Sequence, residues 1–596
     1  MKTLTQITRV ALLLTSIGAY AASAAPPKGT DSVFWPEDSG YVNVKTFGAA
    51  GDGKTDDTTA IKKAYAEKNH AIYFPPGTYL VSDTITATPK RYFIQGAGPG
   101  RTVIRLKDNC PGFADPSRPM AVLQNWDQPI GMGSNGQGFR NSYHDLTVDI
   151  GGRNRGAIGI MYFTDNQGTI ENVHIRSSDP SKAGYAGIAL AQNWPGPALL
   201  RQVRVDGCDY GIWSIIGQYS FTFEHLTLEN QIKAGIFNKG QKLFIRGLTS
   251  RSRALAIEAP SGTIVIVDSH LSGSGPAAIT GGAQLFARSL ETKGYAAAIQ
   301  GSHGGDAAGP LVEEYPGNVT TLFETPKKSL NLPVDESPAA DWNNPNDWVS
   351  VAKFGAVAGG GDATAGIQKA IDSGARVVYL PHGNYSVGGT IRVRSKVERI
   401  HCMESSFKVG KGAAPVFRIE DGTSPFVIIE QLEGSYGDQR LYFEQASPRA
   451  LALKTMIPRG AFYKTTVSGA KLFLDDVCAA PCDFGNASVY ARQLNPENMG
   501  THVRCAGGLF WVLGLKTEKA GTIVEVTNGG QSEILGGYIY RNRGKNLPDG
   551  TKPNAFINIE SSLSACGIAG DNSVEETRGG QIQTGSAGSG LYVGRK

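Results

Sequence analysis

The sequence repeats one pattern at long range. Residues 42–49 (VNVKTFGA) return as residues 349–356 (VSVAKFGA), 307 positions later, and residues 73–79 (YFPPGTY) return as residues 379–385 (YLPHGNY). A repeat of this length indicates two related domains, because 596 residues also exceed what one hydrophobic core usually supports. We therefore predict two copies of one scaffold, which create a cleft where they meet.

The first copy contains a shorter repeat. Apolar residues recur 21 to 23 positions apart within β-rich runs, at Leu226, Leu248 and Leu271 and at Ile236, Ile257 and Ile279. Strands that recur at this period without helices between them indicate a parallel β-helix, whose coils stack strand on strand. A leucine-rich repeat needs a Leu-x-x-Leu-x-Leu pattern that is missing here, and a sandwich would not keep this register. The predicted fold class is all-β, with two tandem β-helices.

Each copy also opens with one amphipathic helix, predicted over residues 57–67 and 364–372. A short helix at this position would cap the first coil and cover its apolar edge. Pro, Asn and acidic residues are frequent in 310–346, which we interpret as a linker. The predicted domains are therefore an N-terminal β-helix at 25–309 and a C-terminal β-helix at 347–596.

The N-terminus has the pattern of a secretory signal. Lys2 and Arg9 precede an apolar run at residues 10–19, and the small residues Ala22 and Ala24 follow it. The run is too short to span a bilayer, so residues 1–24 are predicted to be a signal peptide that is removed. No later stretch resembles a transmembrane segment. We expect a secreted or periplasmic protein that does not associate with a membrane.

Charge and cysteine content exclude several partners. Removing Lys2 and Arg9 would lower the formal charge from +5 to +3, which is too weak to indicate binding to nucleic acid. The seven cysteines are an odd number, and Cys478 and Cys482 are close enough in sequence either to form a small loop or to remain separate. No Cys or His spacing completes a tetrahedral set, so we predict no metal and no cofactor.

Residues 48–55 (GAAGDGKT) match the phosphate-loop pattern of nucleotide-binding proteins. The second copy has Gly359-Gly-Gly361-Asp362 in the equivalent turn, so the lysine is dispensable to it. We interpret the motif as a glycine turn before the capping helix.

Two glutamates in the second copy are candidates for acid–base chemistry. Glu497 and Glu518 are 21 positions apart, which predicts neighbouring coils about 4.8 Å from each other. Carboxylates so close repel when both are ionised, which raises the pKa of one and keeps a proton available for glycoside hydrolysis. Trp511 and Tyr540 are candidates for an apolar platform under a sugar ring. The alternative is that these are solvated surface glutamates.

The chain resembles a known enzyme family. Residues 47–58 (FGAAGDGKTDDT) are similar to the opening signature of the pectate-lyase-like β-helix superfamily, which includes lyases, hydrolases and phage tailspikes. The tandem copies, together with residues 491–497 (ARQLNPE) and 513–518 (LGLKTE), resemble more narrowly glycoside hydrolase family 55, the exported β-1,3-glucanases. The first motif is informative about fold alone, and the later motifs are more specific.

The family resemblance implies two right-handed β-helices side by side, with hydrolysis from the non-reducing end by inversion in the cleft. It implies that Glu518 is the general acid and that Glu497 supports it. Residues 217–222 (GQYSFT) are similar to the family's water-holding segment, which nominates Gln218. The family has a serine one coil later, where this chain has Asn238, Lys239 and Gln241.

We therefore expect a monomeric glycoside hydrolase that acts on a neutral β-glucan. Trp511, Tyr540, Gln493 and Trp213 are the expected sugar contacts. One alternative is a polysaccharide lyase on the same fold, and another is a non-catalytic glycan-binding or tailspike-like protein, because this fold carries several functions.

Overall fold

The structure is a computed structural model that describes most of the chain. It covers residues 30–596 except 89, 90, 127, 133–137, 340, 341, 411, 413, 435–441, 459, 480, 542–546, 548, 549 and 589. The predicted signal peptide lies outside the described residues. Within them, no helix is both long enough and apolar enough to cross a membrane.

Strands of the first half form one 22-stranded sheet that winds into a solenoid, and nearly all of its pairings are parallel. Its strands are Val42–Asn43, Asp52–Asp56, Ala71–Tyr73, Gly77–Val81, Ile85–Thr86, Phe93–Gln95, Thr102–Leu106, Met120–Gln124, Ser142–Asp149, Ala157–Met161, Thr169–Arg176, Ala186–Leu190, Ala198–Arg201, Arg204–Asp206, Tyr210–Ser214, Ser220–Glu224, Thr227–Glu229, Ala234–Arg246, Thr249–Arg251, Leu255–Thr280, Gln284–Gln300 and Leu311–Tyr315. The last two pair antiparallel and close the solenoid.

The second half forms three sheets of 13, four and six strands. The 13-stranded sheet contains Val319–Thr320, Trp348–Ser350, Val377–Tyr379, Asn384–Val387, Arg399–Val409, Phe426–Gly434, Ala450–Met456, Lys471–Val477, Ser488–Leu494, Leu509–Glu518, Gln531–Tyr540, Ser562–Gly570 and Leu591–Gly594. The four-stranded sheet contains Ile391–Ser395, Phe417–Gly422, Phe443–Gln445 and Tyr463–Thr465. The six-stranded sheet contains Cys482–Asp483, Val503–Ala506, Val524–Thr527, Phe556–Ile559, Ser573–Arg578 and Gln581–Ser586.

A short helix opens each half, at Thr58–Tyr65 and Thr364–Asp372. Single 3-10 turns lie at Val44–Phe47, Pro345–Asp347 and Val351–Phe354. Each helix buries its apolar face against the first coils of its half, because its apolar residues recur at the helical period. The predicted fold class, two tandem parallel β-helices with short capping helices, is confirmed.

The sequence period of 21 to 24 residues becomes a ladder inside each solenoid. Ile188, Ile212, Ile236 and Ile257 are consecutive register partners, and each is fully buried. Stacking identical branched side chains on parallel strands fills the interior without voids. Each half therefore has its own continuous apolar core.

A third apolar core joins the two halves. Outward-facing residues of the first half, such as Phe244 and Val265, pack against Trp511, Leu513 and Leu535 of the second. Gly536 makes this approach possible: it has a φ of +87°, and a Cβ there would lie 2.0 Å from Cδ1 of Phe244. The two halves are therefore in direct side-chain contact here.

Buried ion pairs extend the same contact. Glu224 of the first half is fully buried and lies within 3.6 Å of the guanidinium groups of Arg201, Arg246 and Arg492. Burial opposes the charge of Glu224, but the arginines, Arg492 foremost, outweigh it and hold its pKa well below the ordinary value. The carboxylate is ionised and locked between the halves.

Part of the predicted linker lies inside this contact. The backbone N–H groups of Asn331 and Leu332 donate to Glu533 at 2.9 and 3.1 Å, and Glu336 lies 2.7 Å from Arg246. Polar groups of the segment therefore pair with buried charges of both halves.

No disulfide joins the seven cysteines, all of which lie in the described part of the chain and are buried. The small loop between Cys478 and Cys482 that the sequence allowed is not closed. Burial raises the pKa of the Cys482 thiol, which makes it unreactive as a nucleophile.

Candidate active site

Glu497 and Glu518 lie side by side on adjacent coils, as their spacing predicts. They form an isolated parallel bridge, and Glu518 is also the register partner of Tyr540 on the next coil. Their side chains are 19% and 16% exposed, so both reach solvent from a largely buried position. Three successive coils thus present a row of two carboxylates and one aromatic ring.

Lys516 lies between the two glutamates and was not a sequence candidate. Its fully buried ammonium is 3.1 Å from Oε1 of Glu497 and 2.6 Å from Oε1 of Glu518. Burial opposes the charge of the lysine, but the two carboxylates outweigh it and raise its pKa. The signal in the sequence was the two-residue spacing of Lys516 and Glu518, because side chains two apart on a strand share a face.

The sequence predicts that repulsion raises the pKa of one of the two glutamates, and this prediction is wrong for Glu497. Burial opposes its ionisation, but Lys516 outweighs burial and lowers the pKa of Glu497. The physical reason is that an ammonium separates the two carboxylates, so attraction to a cation replaces repulsion between anions. Glu497 is therefore ionised.

Asp165 brings a third carboxyl to the site from the first half. Its side chain is 5% exposed, and Oδ2 accepts a hydrogen bond of 2.8 Å from the Gly138 N–H. Burial raises the pKa of Asp165 to about 7. The hydrogen bond from Gly138 and the positive charge of Lys516 act to lower this pKa, whereas the negative charge of Glu518 raises it. The next residue, Asn166, accepts from the Lys516 ammonium at 3.3 Å. We call Asp165, Glu497, Lys516 and Glu518 the junction site.

Four aromatic rings surround the junction site. Tyr219 of the first half lies 5.8 Å from Tyr538 and 6.4 Å from Tyr540 between ring centroids, and 6.0 Å from Trp194. Trp194 and Tyr540 are 39% and 38% exposed, so their rings have open surface. Burial and nearby Glu518 raise the pKa of Tyr219 and keep it neutral. We call these four residues the aromatic cluster, which has the amphipathic character of a sugar-binding surface.

Gln218 lies beside the aromatic cluster and is exposed. Its Oε1 accepts a hydrogen bond of 2.9 Å from the backbone N–H of Trp194, and its backbone oxygen accepts from Gln241 Nε2 at 2.8 Å. Asn238 and Gln241, where the family resemblance leads us to expect a serine, are fully buried. Asn238 donates to the backbone oxygen of Gln241 at 3.0 Å, so these two amides support the turn and do not face the junction site.

Trp511 does not provide a sugar platform, which corrects the prediction. The ring is fully buried in the core between the halves, with the guanidinium groups of Arg492 and Arg246 at 5.2 and 5.9 Å from its centroid. The reason is strand alternation: Trp511 and Leu513 face the first half, where apolar side chains cover them. Its function is packing.

Gln493 and Trp213 are also apart from the carboxylates. Gln493 is 1% exposed, and its Oε1 accepts from the Thr222 hydroxyl at 3.3 Å across the contact between the halves. Trp213 is half-buried and packs edge-on against Tyr185 at 5.0 Å, on the face of the first solenoid where Ile158 is buried. Of the predicted sugar contacts, the structure brings Tyr540 alone to the junction site.

One group of described residues has the spacing of a metal site: Glu224, His225 and Glu336. The arginines that surround Glu224 already balance its charge, and Arg246 also pairs with Glu336 at 2.7 Å. A divalent cation would have to displace these ion pairs, so the donor set does not fit a metal.

Comparisons with known proteins agree with the fold. The model of a family described as "Rhamnogalacturonase A/epimerase, pectate lyase-like" matches residues 41–253. A curated relative, "Probable glucan endo-1,3-beta-glucosidase" of Arthroderma benhamiae, is 24% identical over 266 residues, 40% of this chain and 29% of the relative. "Alginate lyase 7" of Azotobacter vinelandii is 46% identical over 76 residues, 11% of this chain and 9% of the relative.

The chain therefore spans less than a third of the length of either curated relative. Among solved structures, sacteLam55A from Streptomyces sp. SirexAA-E overlays with a TM-score of 0.46 at 12% identity, covering 88% of this chain and 91% of that chain. That score is too low to support a conclusion about this chain. The family model and the curated glucosidase relative confirm the resemblance to pectate-lyase-like β-helix proteins and to β-1,3-glucanases.

Proposed function

We propose that this protein is an exported glycoside hydrolase that cleaves a neutral β-1,3-glucan at the junction site. The observation that carries the proposal is the Lys516 ammonium, which lies 3.1 Å from Glu497 and 2.6 Å from Glu518 and holds these two partly exposed carboxyl groups together. Most glycosidases catalyse hydrolysis with a pair of carboxyl groups. The relative named as a glucan endo-1,3-β-glucosidase supports the same linkage.

Glu518 is the proposed general acid. The family resemblance implies this role. Lys516 lowers the pKa of Glu497, so Glu497 is ionised and does not supply the proton. Glu518 donates the proton that the departing glycosidic oxygen needs. Glu497 orients Lys516 and, through it, Glu518. The resemblance to glycoside hydrolase family 55 implies exo action with inversion, which we include in the proposal.

The aromatic cluster is the proposed sugar-binding surface. Tyr540 lies beside Glu518 in strand register, and Tyr538 lies beside Lys516. An apolar ring face next to a proton donor suits a neutral pyranose, because its C–H face packs on the ring while its hydroxyls reach polar groups. Trp194 and Tyr219 extend this surface from the first half. We propose a monomer, because both walls of the site come from one chain.

A polysaccharide lyase is the second candidate, and the alginate lyase relative favours it. A lyase must neutralise the carboxylate of a uronate unit with a cation before it removes the neighbouring proton. At the junction site Asp165, Glu497 and Glu518 surround one ammonium, which is already paired with two of them. Excess negative charge would repel a polyuronate, so the site suits a neutral glycan better.

Incubation with laminarin and with polyuronates tests the proposal. Wild type is compared with Glu518→Gln, and with Glu525→Gln as the control, because Glu525 pairs with Arg504 on another face of the second half. We expect reducing sugar from laminarin with wild type and with the control, and none with Glu518→Gln. Ultraviolet-absorbing unsaturated product from a polyuronate would instead indicate a lyase. Binding of laminarin that Glu518→Gln leaves intact, without hydrolysis by wild type, would indicate a binding protein.

A further inference from the structure

We propose that Asp165 is the general base that takes a proton from the attacking water, opposite Glu518. This inference rests on the proposed function and assigns one of its reacting groups. Neither the motifs nor the comparisons point to Asp165. It is placed by the packing of the first half against the second.

The first step excludes Glu497 as the base of an inverting reaction. Its Oε1 is 3.1 Å from the Lys516 ammonium, and Oε1 of Glu518 is 2.6 Å from the same atom. The two oxygens therefore lie at most 5.7 Å apart, the value reached if the three atoms were in line. Inverting glycosidases separate their carboxyl groups by about 6.5–9.5 Å so that water fits between sugar and base.

The two glutamates also occupy one wall. They are bridge partners on adjacent coils of the second half, so both approach a bound sugar from the same side. Displacement with inversion requires the water on the face opposite to the leaving group. The base must therefore come from the first half.

Gln218 of the first half is unsuitable as the base. A glutamine amide orients water through hydrogen bonds but does not accept a proton at physiological pH. Its Oε1 in addition accepts a hydrogen bond of 2.9 Å from the backbone N–H of Trp194. Gln218 is able to position water and needs a proton acceptor nearby.

Asp165 meets the remaining requirements. It belongs to the first half, and its neighbour Asn166 accepts a hydrogen bond of 3.3 Å from the Lys516 ammonium, which places Asp165 beside the junction site. Asp165 also forms a bridge with Gly196 of the next coil, two residues from Trp194 of the aromatic cluster. Its Oδ2 accepts from the Gly138 N–H, which fixes the orientation of the carboxyl group. Burial brings the pKa of Asp165 to about 7, the range in which a carboxylate both accepts and releases a proton.

The proton balance is simple. Asp165 removes one proton from water while the water oxygen bonds to the anomeric carbon. The glycosidic C–O bond breaks with its electron pair, and the proton of Glu518 passes to the departing oxygen. The products are a sugar of inverted configuration and a shortened glycan. Exchange with solvent then returns the proton from Asp165 and restores the one on Glu518.

The test distinguishes a general base from a general acid with two substrates, one whose leaving group needs a proton and one whose leaving group does not. Asp165→Ala and Asp165→Asn are compared with Glu518→Gln on a laminari-oligosaccharide and on dinitrophenyl β-glucoside, whose phenolate departs without protonation. We expect Glu518→Gln to retain hydrolysis of the aryl glucoside alone. We expect both Asp165 variants to lose about 100-fold or more in kcat on both substrates, with little change in KM. Azide should restore Asp165→Ala and give the α-glycosyl azide.

Asp108→Asn is the matched control, because Asp108 is an aspartate of the first half that also accepts a 2.8 Å bond from a glycine N–H. Asp165→Asn keeps an acceptor for Gly138, so its thermal midpoint checks that the fold is intact. Asp165 variants within tenfold of wild type, or a β-glycosyl azide, would overturn the inference. The latter would identify Glu497 as a nucleophile in a retaining reaction. A wild type inactive on both substrates would overturn the proposed function itself.

Discussion

Nε of Arg492 in the second half donates to both carboxylate oxygens of Glu224 in the first half, at 3.0 and 3.2 Å, and neither side chain is exposed. A buried charge of this kind is tolerated only while its partners are present. The pair therefore makes the relative position of the two halves a condition of stability. The junction site, built from both halves, depends on that position.

Glu224→Gln should lower the free energy of unfolding by about 3–5 kcal/mol, because Arg201, Arg246 and Arg492 would lose their shared anion in the interior. Glu229→Gln is the control, since Glu229 pairs with arginines that are 52% and 60% exposed. Urea denaturation of the two variants measures the difference. Equal midpoints would show that the buried network contributes little.

Gly536→Ala should destabilise the contact between the halves. Gly536 and Gly529 have similar positive φ values of +87° and +75°, but a Cβ at Gly529 meets nothing within 4 Å, whereas at Gly536 it meets Phe244. Backbone strain is common to both variants, so their difference isolates the clash. We expect a lower thermal midpoint for Gly536→Ala than for Gly529→Ala. Indistinguishable midpoints would indicate that the halves separate slightly at little cost.

Lys516→Met should move the acid side of the pH–activity profile to higher pH. The proposed base, Asp165, must be ionised to accept a proton, so its pKa sets the acid side of the profile. Lys516 opposes the raised pKa of Asp165, so removing the ammonium raises this pKa further, and the base then ionises at higher pH. Lys519→Met is the control, because Lys519 acts on the pKa of Glu497, and it should leave the acid side nearly unchanged. The profile of kcat/KM on laminarin measures both variants, and an unmoved acid side for Lys516→Met would contradict this reasoning.

Trp511 and Tyr540 should respond differently to substitution. Trp511→Phe removes buried packing and should lower the thermal midpoint without changing KM, because the ring has no open face. Tyr540→Ala removes a ring that is 38% exposed beside Glu518 and should raise KM with little loss of stability. Kinetics and thermal unfolding of the same two preparations check both statements. A raised KM for Trp511→Phe would contradict its purely structural function.

Asp165→Asn should become more stabilising relative to wild type as pH rises from about 4 to 7. The folded-state pKa of Asp165 is raised from 3.8 to about 7, so in this window the native state binds more protons than the unfolded chain, and wild-type stability falls with pH. Asparagine does not titrate. The difference in unfolding free energy should grow by at most about 1.4 kcal/mol per pH unit. Denaturation at several pH values measures it, and a constant difference would contradict the raised pKa.

The architecture was predictable because it is periodic. The ladder from Ile236 to Ile257 appears in the sequence as a 21-residue spacing and in the structure as direct register partners. The capping helix predicted at 57–67 begins and ends within two residues of Thr58–Tyr65. Both depend on interactions that are local or repeat at a fixed interval, which sequence patterns report well.

Contacts between the halves were not predictable in the same way. Trp511 has the same alternating pattern whether its strand faces solvent or another solenoid, so the sequence did not reveal its burial. Asp165 and Lys516 are separated by 351 positions, and only the packing of the two halves brings them to one site. Glu497 and Glu518 were found because one period joins them.

The third apolar core, which contains Phe244 and Trp511, has a consequence for biosynthesis. A ribosome completes the strand that contains Phe244 more than 260 residues before the one that contains Trp511. Throughout that interval the surface of the first solenoid that later contacts the second half is exposed, and this surface is apolar with buried-type charged groups. The nascent chain therefore needs either a holding chaperone or a delay in folding until its second half emerges.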